Sequence, residues 1–312
     1  MNIFSFAINT KIKFLSFRKP AFILSAALII SSVLVYSFNG LNFGIDFRGG
    51  TLIEIETAEP EDLGNIRNSL NSLNLGDVQV QEFGSPKNVL IRVEQQTGGE
   101  KSQQNVVNIV KTELNSSLNS DVNFRRTEVV GPKVSSELIK AGVTAIVVAV
   151  FAMLIYIWFR FEWQFSLGAV IALIHDILLT LGIFSILQLE FNLSIIAALL
   201  TIVGYSMNDT VVVYDRVREN LRKHRKKDIL DLLNISINET LSRTIMTSVT
   251  TLLALLSLYI FGGSVIKGFT FAMIWGVLVG TYSSIFIAAP LLNYLEVKRD
   301  WSTSGAVEST QK

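Results

Sequence analysis

Six stretches of mostly apolar residues, at 21–38, 141–159, 165–187, 193–215, 242–261 and 268–292, limit what this chain can fold into more than any other feature. A helix of about 20 such residues crosses the hydrocarbon layer of a bilayer, so each stretch is long enough to span. Charged side chains make up only 17% of the 312 residues, against about 25% in ordinary soluble domains. The chain therefore reads as a polytopic α-helical membrane protein with six transmembrane helices. The first apolar run exceeds the roughly 7–15 residues of a secretory signal and no A-x-A site follows it, so it reads as a retained anchor.

Net charge is +1, but the charges are segregated. Basic residues near span ends mark the cytoplasmic side. Residues 1–20 carry four Lys/Arg and no acid, and 216–242 carry seven against four acids. Both belong in the cytoplasm, with 216–241 expected as a basic loop and 293–312 as a cytoplasmic tail. Residues 40–140 carry fourteen acids and ten bases, which suits the far side. Six spans with both termini inside satisfy every loop.

The segment 39–140 is the one stretch able to form a soluble domain. TLIEIET, after Gly49-Gly50, alternates with the period of a strand. EPEDLGNIRNSLNSL places Leu63, Ile66, Leu70 and Leu73 at helical spacing, and DVQVQEF and NVLIRVE are strands about a Gly84-Ser85-Pro86 turn. Residues 100–118 give a second helix and DVNFRRTEVV a last strand. The order βαββαβ is that of a ferredoxin-like α+β domain. Gly131-Pro132 marks the re-entry into the membrane. The domain contains no His, no Cys and no glycine-rich strand-to-helix loop, so contact rather than catalysis is expected of it. With no cysteine and only His175 and His224 in the whole chain, no thiolate or histidine-rich metal site is possible. Neither an enzyme nor a cofactor protein is expected.

Ionisable residues inside spans cost about 2.5–3.5 kcal/mol each, which makes each one a functional candidate. His175 and Asp176 lie about 15 Å into the third span, near the midplane, at ~1.5 Å per residue. Asn208 and Asp209 lie about 10 Å above the cytoplasmic end of the fourth span by the same rise. Arg243 opens the fifth, within a polar stripe of Thr240, Arg243, Thr247, Thr250 and Thr251. Asp209 and Arg243 are either a fixed ion pair joining two helices or a titratable site on an ion path. Desolvation favours the neutral acid and a nearby arginine the carboxylate, so separation of the pair would couple protonation to motion. His175-Asp176 is a satisfied core pair or an accessory relay, with Thr180 one turn away. Gly276 and Gly280 form a G-x-x-x-G that permits close helix approach.

FGIDFRGG at 43–50, VGPKVSSEL at 130–138, HDILLTLGIFS at 175–185, VGYSMNDTVVVYDRVREN at 203–220 and LSRTIMTSVTTL at 241–252 resemble, in order and spacing, the SecF branch of the SecD/SecF family. Tyr214 stands where relatives often carry Phe, which keeps the ring. The resemblance implies a multi-pass accessory subunit of the Sec protein translocase in the bacterial inner membrane. The expected partners are SecD as heterodimer partner, YajC, the SecYEG channel and the exported polypeptide. It also implies half of a resistance-nodulation-division-like architecture, with the proton path at Asp209 and Arg243 and with His175, Asp176, Asn208 and Thr247 as accessory polar residues. Asp46, Arg48, Gly49, Gly50, Gly131 and Pro132 read as the domain junction, two glycine-bearing joints about which the soluble domain moves as a rigid body. The expected function is to couple proton-motive force to protein export. The alternatives are half of a small-molecule or lipid exporter and a purely structural channel-stabilising subunit.

Overall fold

The computed structural model describes residues 10–96, 100–118 and 121–297, so residues 1–9 of the N-terminal segment and 298–312 of the expected tail lie outside it. A 3-10 turn, Phe14–Phe17, leads into α1 (Arg18–Asn39), the first span. The soluble domain follows as β1 (Asn42–Phe43), α2 (Ile45–Arg48), β2 (Gly50–Thr57), α3 (Leu63–Asn71), β3 (Val78–Glu82), β4 (Asn88–Val93), α4 (Glu100–Ser117) and β5 (Val122–Val130). The remaining spans are α5 (Pro132–Arg160), α6 (Trp163–Leu187), α7 (Leu193–Lys223), α8 (Ile229–Phe261) and α9 (Ser264–Ser283). β6 (Glu190–Phe191) lies between α6 and α7, and a π turn, Ser284–Ala288, joins α9 to α10 (Ala289–Tyr294). Six helices are long and apolar enough to cross a membrane.

The soluble domain is a four-stranded sheet in the order β3-β4-β2-β5 with every neighbouring pair antiparallel. β2 and β3 are thus parallel with β4 between them, which is the split βαβ arrangement. The alternation of β2 and β4 turns Ile53, Ile55, Val89 and Ile91 toward Ile66 and Leu70 of α3 and Val106, Val110 and Leu114 of α4. The opposite face carries Leu52 and Leu90 against Ile45 of α2. β2 is buried on both faces for this reason. Asp62 caps α3, accepting from the Gly64 amide at 2.7 Å.

In the membrane part, α6, α7 and α9 are the central helices and α1, α5 and α8 the outer ones. Small residues set their spacing. A Cβ built on Gly276 would lie 2.3 Å from Ile202, and one on Gly280 would lie 2.9 Å from the Ser206 Cβ, so the G-x-x-x-G of α9 lies directly on α7. A Cβ built on Gly182 of α6 would likewise lie 2.0 Å from the Ser32 hydroxyl of α1.

Two boundaries differ from the sequence expectation, because polar residues beyond the apolar core stay helical. α5 begins at Pro132 rather than near 141, with Gly131 as its N-cap, so the soluble domain ends at Val130. The expected basic loop 216–241 is instead two helical extensions joined by the short turn 224–228. Arg216 and Lys223 both pair with Glu219 at helical spacing, 2.5 and 2.6 Å away, and Asp228 caps α8 through the Leu230 amide. Asn234 and Asn238 of that extension hold the backbone of Ile12 and Leu15, which straps the N-terminal segment to α8.

Candidate functional site

Asp209 sits on α7 in the membrane interior and is 4% exposed. Its Oδ1 accepts a hydrogen bond from the Thr244 hydroxyl of α8 at 3.3 Å, and its Oδ2 has no hydrogen-bond partner. Arg243 is adjacent in sequence to Thr244 but points to the exposed side of α8, and among the described residues no ion pair joins it to Asp209. The fixed ion pair considered from the sequence is therefore corrected to a hydrogen bond from Thr244.

The polar stripe is corrected too. α8 packs along an i+4 row, burying Ser236, Thr240, Thr244 and Ser248. Arg243 and Thr250 lie roughly 60–80° round the helix from Thr240 at ~100° per residue, and both are exposed. Thr247 turns its hydroxyl back onto the carbonyls of Arg243 and Thr244. Asn208 is exposed on α7, next to Gly204, around which a Cβ would meet nothing within 4 Å.

His175 and Asp176 form the best-connected polar cluster in the membrane part. Asp176 is 1% exposed. Its Oδ2 accepts from the hydroxyls of Ser206 on α7 at 2.6 Å and Ser283 at the end of α9 at 2.8 Å, and its Oδ1 lies 2.9 Å from His175 Nδ1. Thr180 donates to the Asp176 backbone carbonyl, not to the carboxyl.

On the other side of the ring, His175 Nε2 lies 3.2 Å from Ser25 Oγ of α1, which lies 3.0 Å from the Tyr282 hydroxyl. Tyr282 in turn donates to the Ala21 carbonyl. Ser25 is left to donate to Tyr282 and accept from His175, a direction that requires hydrogen on Nε2. A hydrogen bond between Nδ1 and Oδ1 completes the network. Four helices meet in this cluster. Ser25, Ser206, Tyr282 and Ser283 were not singled out from the sequence, since isolated hydroxyls in spans are common; the available signal was the position of Ser206 one turn before Asp209.

The domain junction lies over the start of α7. Asp46 of α2 accepts from the Leu193 amide at 2.8 Å, a carboxylate at a helix N-terminus where the dipole favours it. β1 pairs in parallel with β6, Phe43, Phe47, Phe184 and Phe191 pack edge to face or tilted, and Arg92 of the sheet forms an ion pair with Glu190. Gly50 takes φ +113°, and a Cβ there would lie 2.4 Å from the Val93 carbonyl, so only glycine fits. Arg48 is exposed. Gly131 and Pro132 start α5 at a separate point. The junction is thus a packed joint to α7 rather than a bare pair of glycine links. Among the described residues no group of three His, Asp or Glu gathers as a metal site.

The family model described as "Protein export membrane protein SecD/SecF, C-terminal" matches residues 109–298, and the one described as "SecD/SecF GG Motif" matches residues 37–61. The protein translocase subunit SecF of Rickettsia bellii is 46% identical over 92% of this chain and 94% of its own length. The protein of the same description from Rhodobacter capsulatus is 46% identical over 94% of this chain and 91% of its own. The crystal structure of SecDF, a translocon-associated membrane protein from Thermus thermophilus, superposes with a TM-score of 0.79 at 35% identity over 90% of this chain. A SecDF structure in a super-membrane-facing form gives 0.64 at 36% identity. The chain spans 38% of the length of each SecDF chain.

Proposed function

The chain belongs to the SecD/SecF family of protein-export membrane proteins, among its SecF subunits, and on that premise we propose that it couples an ion gradient, the proton-motive force, to protein export as an accessory subunit of the Sec translocase. The observation that carries the coupling is the Asp209 carboxyl, buried in a span with one oxygen unpartnered. An ionised carboxylate at that depth costs about 2.5–3.5 kcal/mol. One long hydrogen bond from Thr244 offsets at most about 1.5–3 kcal/mol. Protonation removes the cost, so gain and loss of a proton change the energy of the helix arrangement around α7. A residue serving only to join helices would have both oxygens satisfied.

Arg243, placed one residue from Thr244 and facing outward, acts as the cationic neighbour that Asp209 meets when α7 and α8 shift. His175, Asp176, Asn208 and Thr247 serve as accessory polar groups. Gly204, Asn208, Arg243 and Thr250 form an exposed face that hydrocarbon would not favour, and a second six-span half, SecD, covers it. YajC and the SecYEG channel complete the assembly. The basic segments support a reading with both termini on the cytoplasmic side of the bacterial inner membrane and the βαββαβ domain on the periplasmic side. Asp209→Asn keeps size and hydrogen-bonding capacity but removes the proton. In inverted membrane vesicles it should assemble with its partner and lose the gradient-dependent part of export; undiminished gradient-dependent export would reduce Asp209 to a structural role.

A further inference from the structure

A cleft of 790 Å³ opens between the cytoplasmic ends of α5, α7 and α8. Its walls carry six cations, Arg160, Arg216, Arg218, Arg222, Lys223 and Arg243, against three carboxylates. Those three are already engaged within the wall. Asp215 pairs with Arg160 at 3.0 Å, Glu219 with Arg216 and Lys223, and Glu239 with Arg216 at 2.7 Å. The cleft therefore presents an excess of positive charge to whatever enters it.

Its level in the membrane is marked by Trp158, Phe159 and Trp163, which flank Arg160 and are 61%, 96% and 55% exposed. Large aromatic rings collect at the headgroup level of a bilayer. From Arg243 an apolar strip of Met246, Val249 and Leu253, all exposed on α8, runs deeper into the span. A cationic cavity at headgroup depth that continues into an exposed apolar strip is shaped for an amphiphile.

We propose that this cleft binds the phosphate-bearing headgroup of an anionic phospholipid from the leaflet on the side of the α7–α8 connection, with the acyl chains along Met246, Val249 and Leu253. Basic pockets between spans on that side suit anionic headgroups, and each cation near the surface contributes about 1 kcal/mol. Free phosphate satisfies the cations but has no use for the strip, and an acidic protein segment would leave the strip bare. The site shares Arg243 with the ion path proposed above, but its Arg222 and Lys223 stand outside that path, so their substitution separates the two readings.

The test uses the chain in complex with its partner half, in nanodiscs of phosphatidylglycerol or phosphatidylcholine, with retained lipid read by native mass spectrometry and affinity by spin-labelled phosphatidylglycerol. Arg222→Gln with Lys223→Gln should weaken phosphatidylglycerol binding about 30-fold, the change that about 2 kcal/mol produces. Arg225→Gln with Lys226→Gln, equally basic but outside the cleft wall, should change it less than about threefold, as should the charge-keeping Arg222→Lys. Co-elution with the partner and helical circular dichroism confirm folding. Equal weakening by the two double variants would mean diffuse surface charge and overturn the site, and no weakening by either would also overturn it. The same holds if phosphatidylcholine is retained as well as phosphatidylglycerol, if inorganic phosphate displaces the lipid at millimolar concentration with the same variant dependence, or if an acidic segment of the partner crosslinks within the cleft in place of lipid.

Discussion

Replacing Gly280 by alanine puts a methyl carbon 2.9 Å from the Ser206 Cβ and 3.3 Å from its Cα. Neither atom is the free end of a side chain, so α7 and α9 must part by about half an ångström to restore van der Waals contact. Overpacking of this kind costs about 1–3 kcal/mol. The shift also stretches the bond from Ser206 to Asp176, now 2.6 Å, and a hydrogen bond is worth about 0.5–1.5 kcal/mol. The gain in helix propensity from Gly to Ala, about 1 kcal/mol, offsets part of this, leaving a net loss of about 2 kcal/mol. Gly204 is the matched control: it lies on α7 two residues before Ser206, a Cβ there meets nothing within 4 Å, and Gly204→Ala should gain about 0.5–1 kcal/mol in the isolated chain. Unfolding free energies of the purified chain, from SDS titration in mixed micelles followed by circular dichroism, should rank Gly204→Ala above the native chain and Gly280→Ala below it. A Gly280→Ala chain as stable as the native one would refute the close α7–α9 approach on which the geometry of the Asp176 cluster rests.

Two further outcomes follow from the domain junction. Asp46→Ala, which removes the acceptor at the start of α7, should cost about 0.5–2 kcal/mol and speed hydrogen exchange at the Leu193 amide, while Asp46→Asn, which keeps an acceptor, should change exchange little; equal exchange in all three would show that the cap is idle. In this cysteine-free chain, Gly84→Cys with Ser264→Cys links the β3–β4 turn to the first residue of α9, where a Cβ on Gly84 would lie 2.9 Å from that of Ser264. Oxidation should stop export and reduction restore it; full export with the bridge quantitatively closed would show that motion of the domain on its base is not required.

The spans were legible because lipid demands long apolar runs, and the sheet because strand alternation and turn residues such as Gly84-Ser85-Pro86 agree along 50–130. Helix ends were not: 216–241 is polar enough to read as loop, yet the Asp228 cap and the Asn220 bond to Glu239 hold its two arms helical. Asp209 stood out as a carboxyl in grease, and its burial agrees. Its hydrogen-bond donor, Thr244, did not stand out, because it is the sequence neighbour of the charged Arg243 and lies about 100° from it on the helix. The Asp176 cluster draws Ser25, Ser206, Tyr282 and Ser283 from three helices across some 260 residues, a convergence set by the small-residue crossings at Gly182 and Gly280. The two-residue pairing of β1 with β6 is too short to carry any periodic signal.

Proton passage through Asp209 can be read without export. Proteoliposomes holding the complex of this chain with its partner half and a pH-sensitive dye inside, given a potassium-diffusion potential, should acidify with the native chain. Asp209→Asn should not acidify above protein-free liposomes, and replacing external sodium should leave the native rate unchanged. Acidification by Asp209→Asn at the native rate, or a native flux that follows sodium and not protons, would contradict a proton path through Asp209.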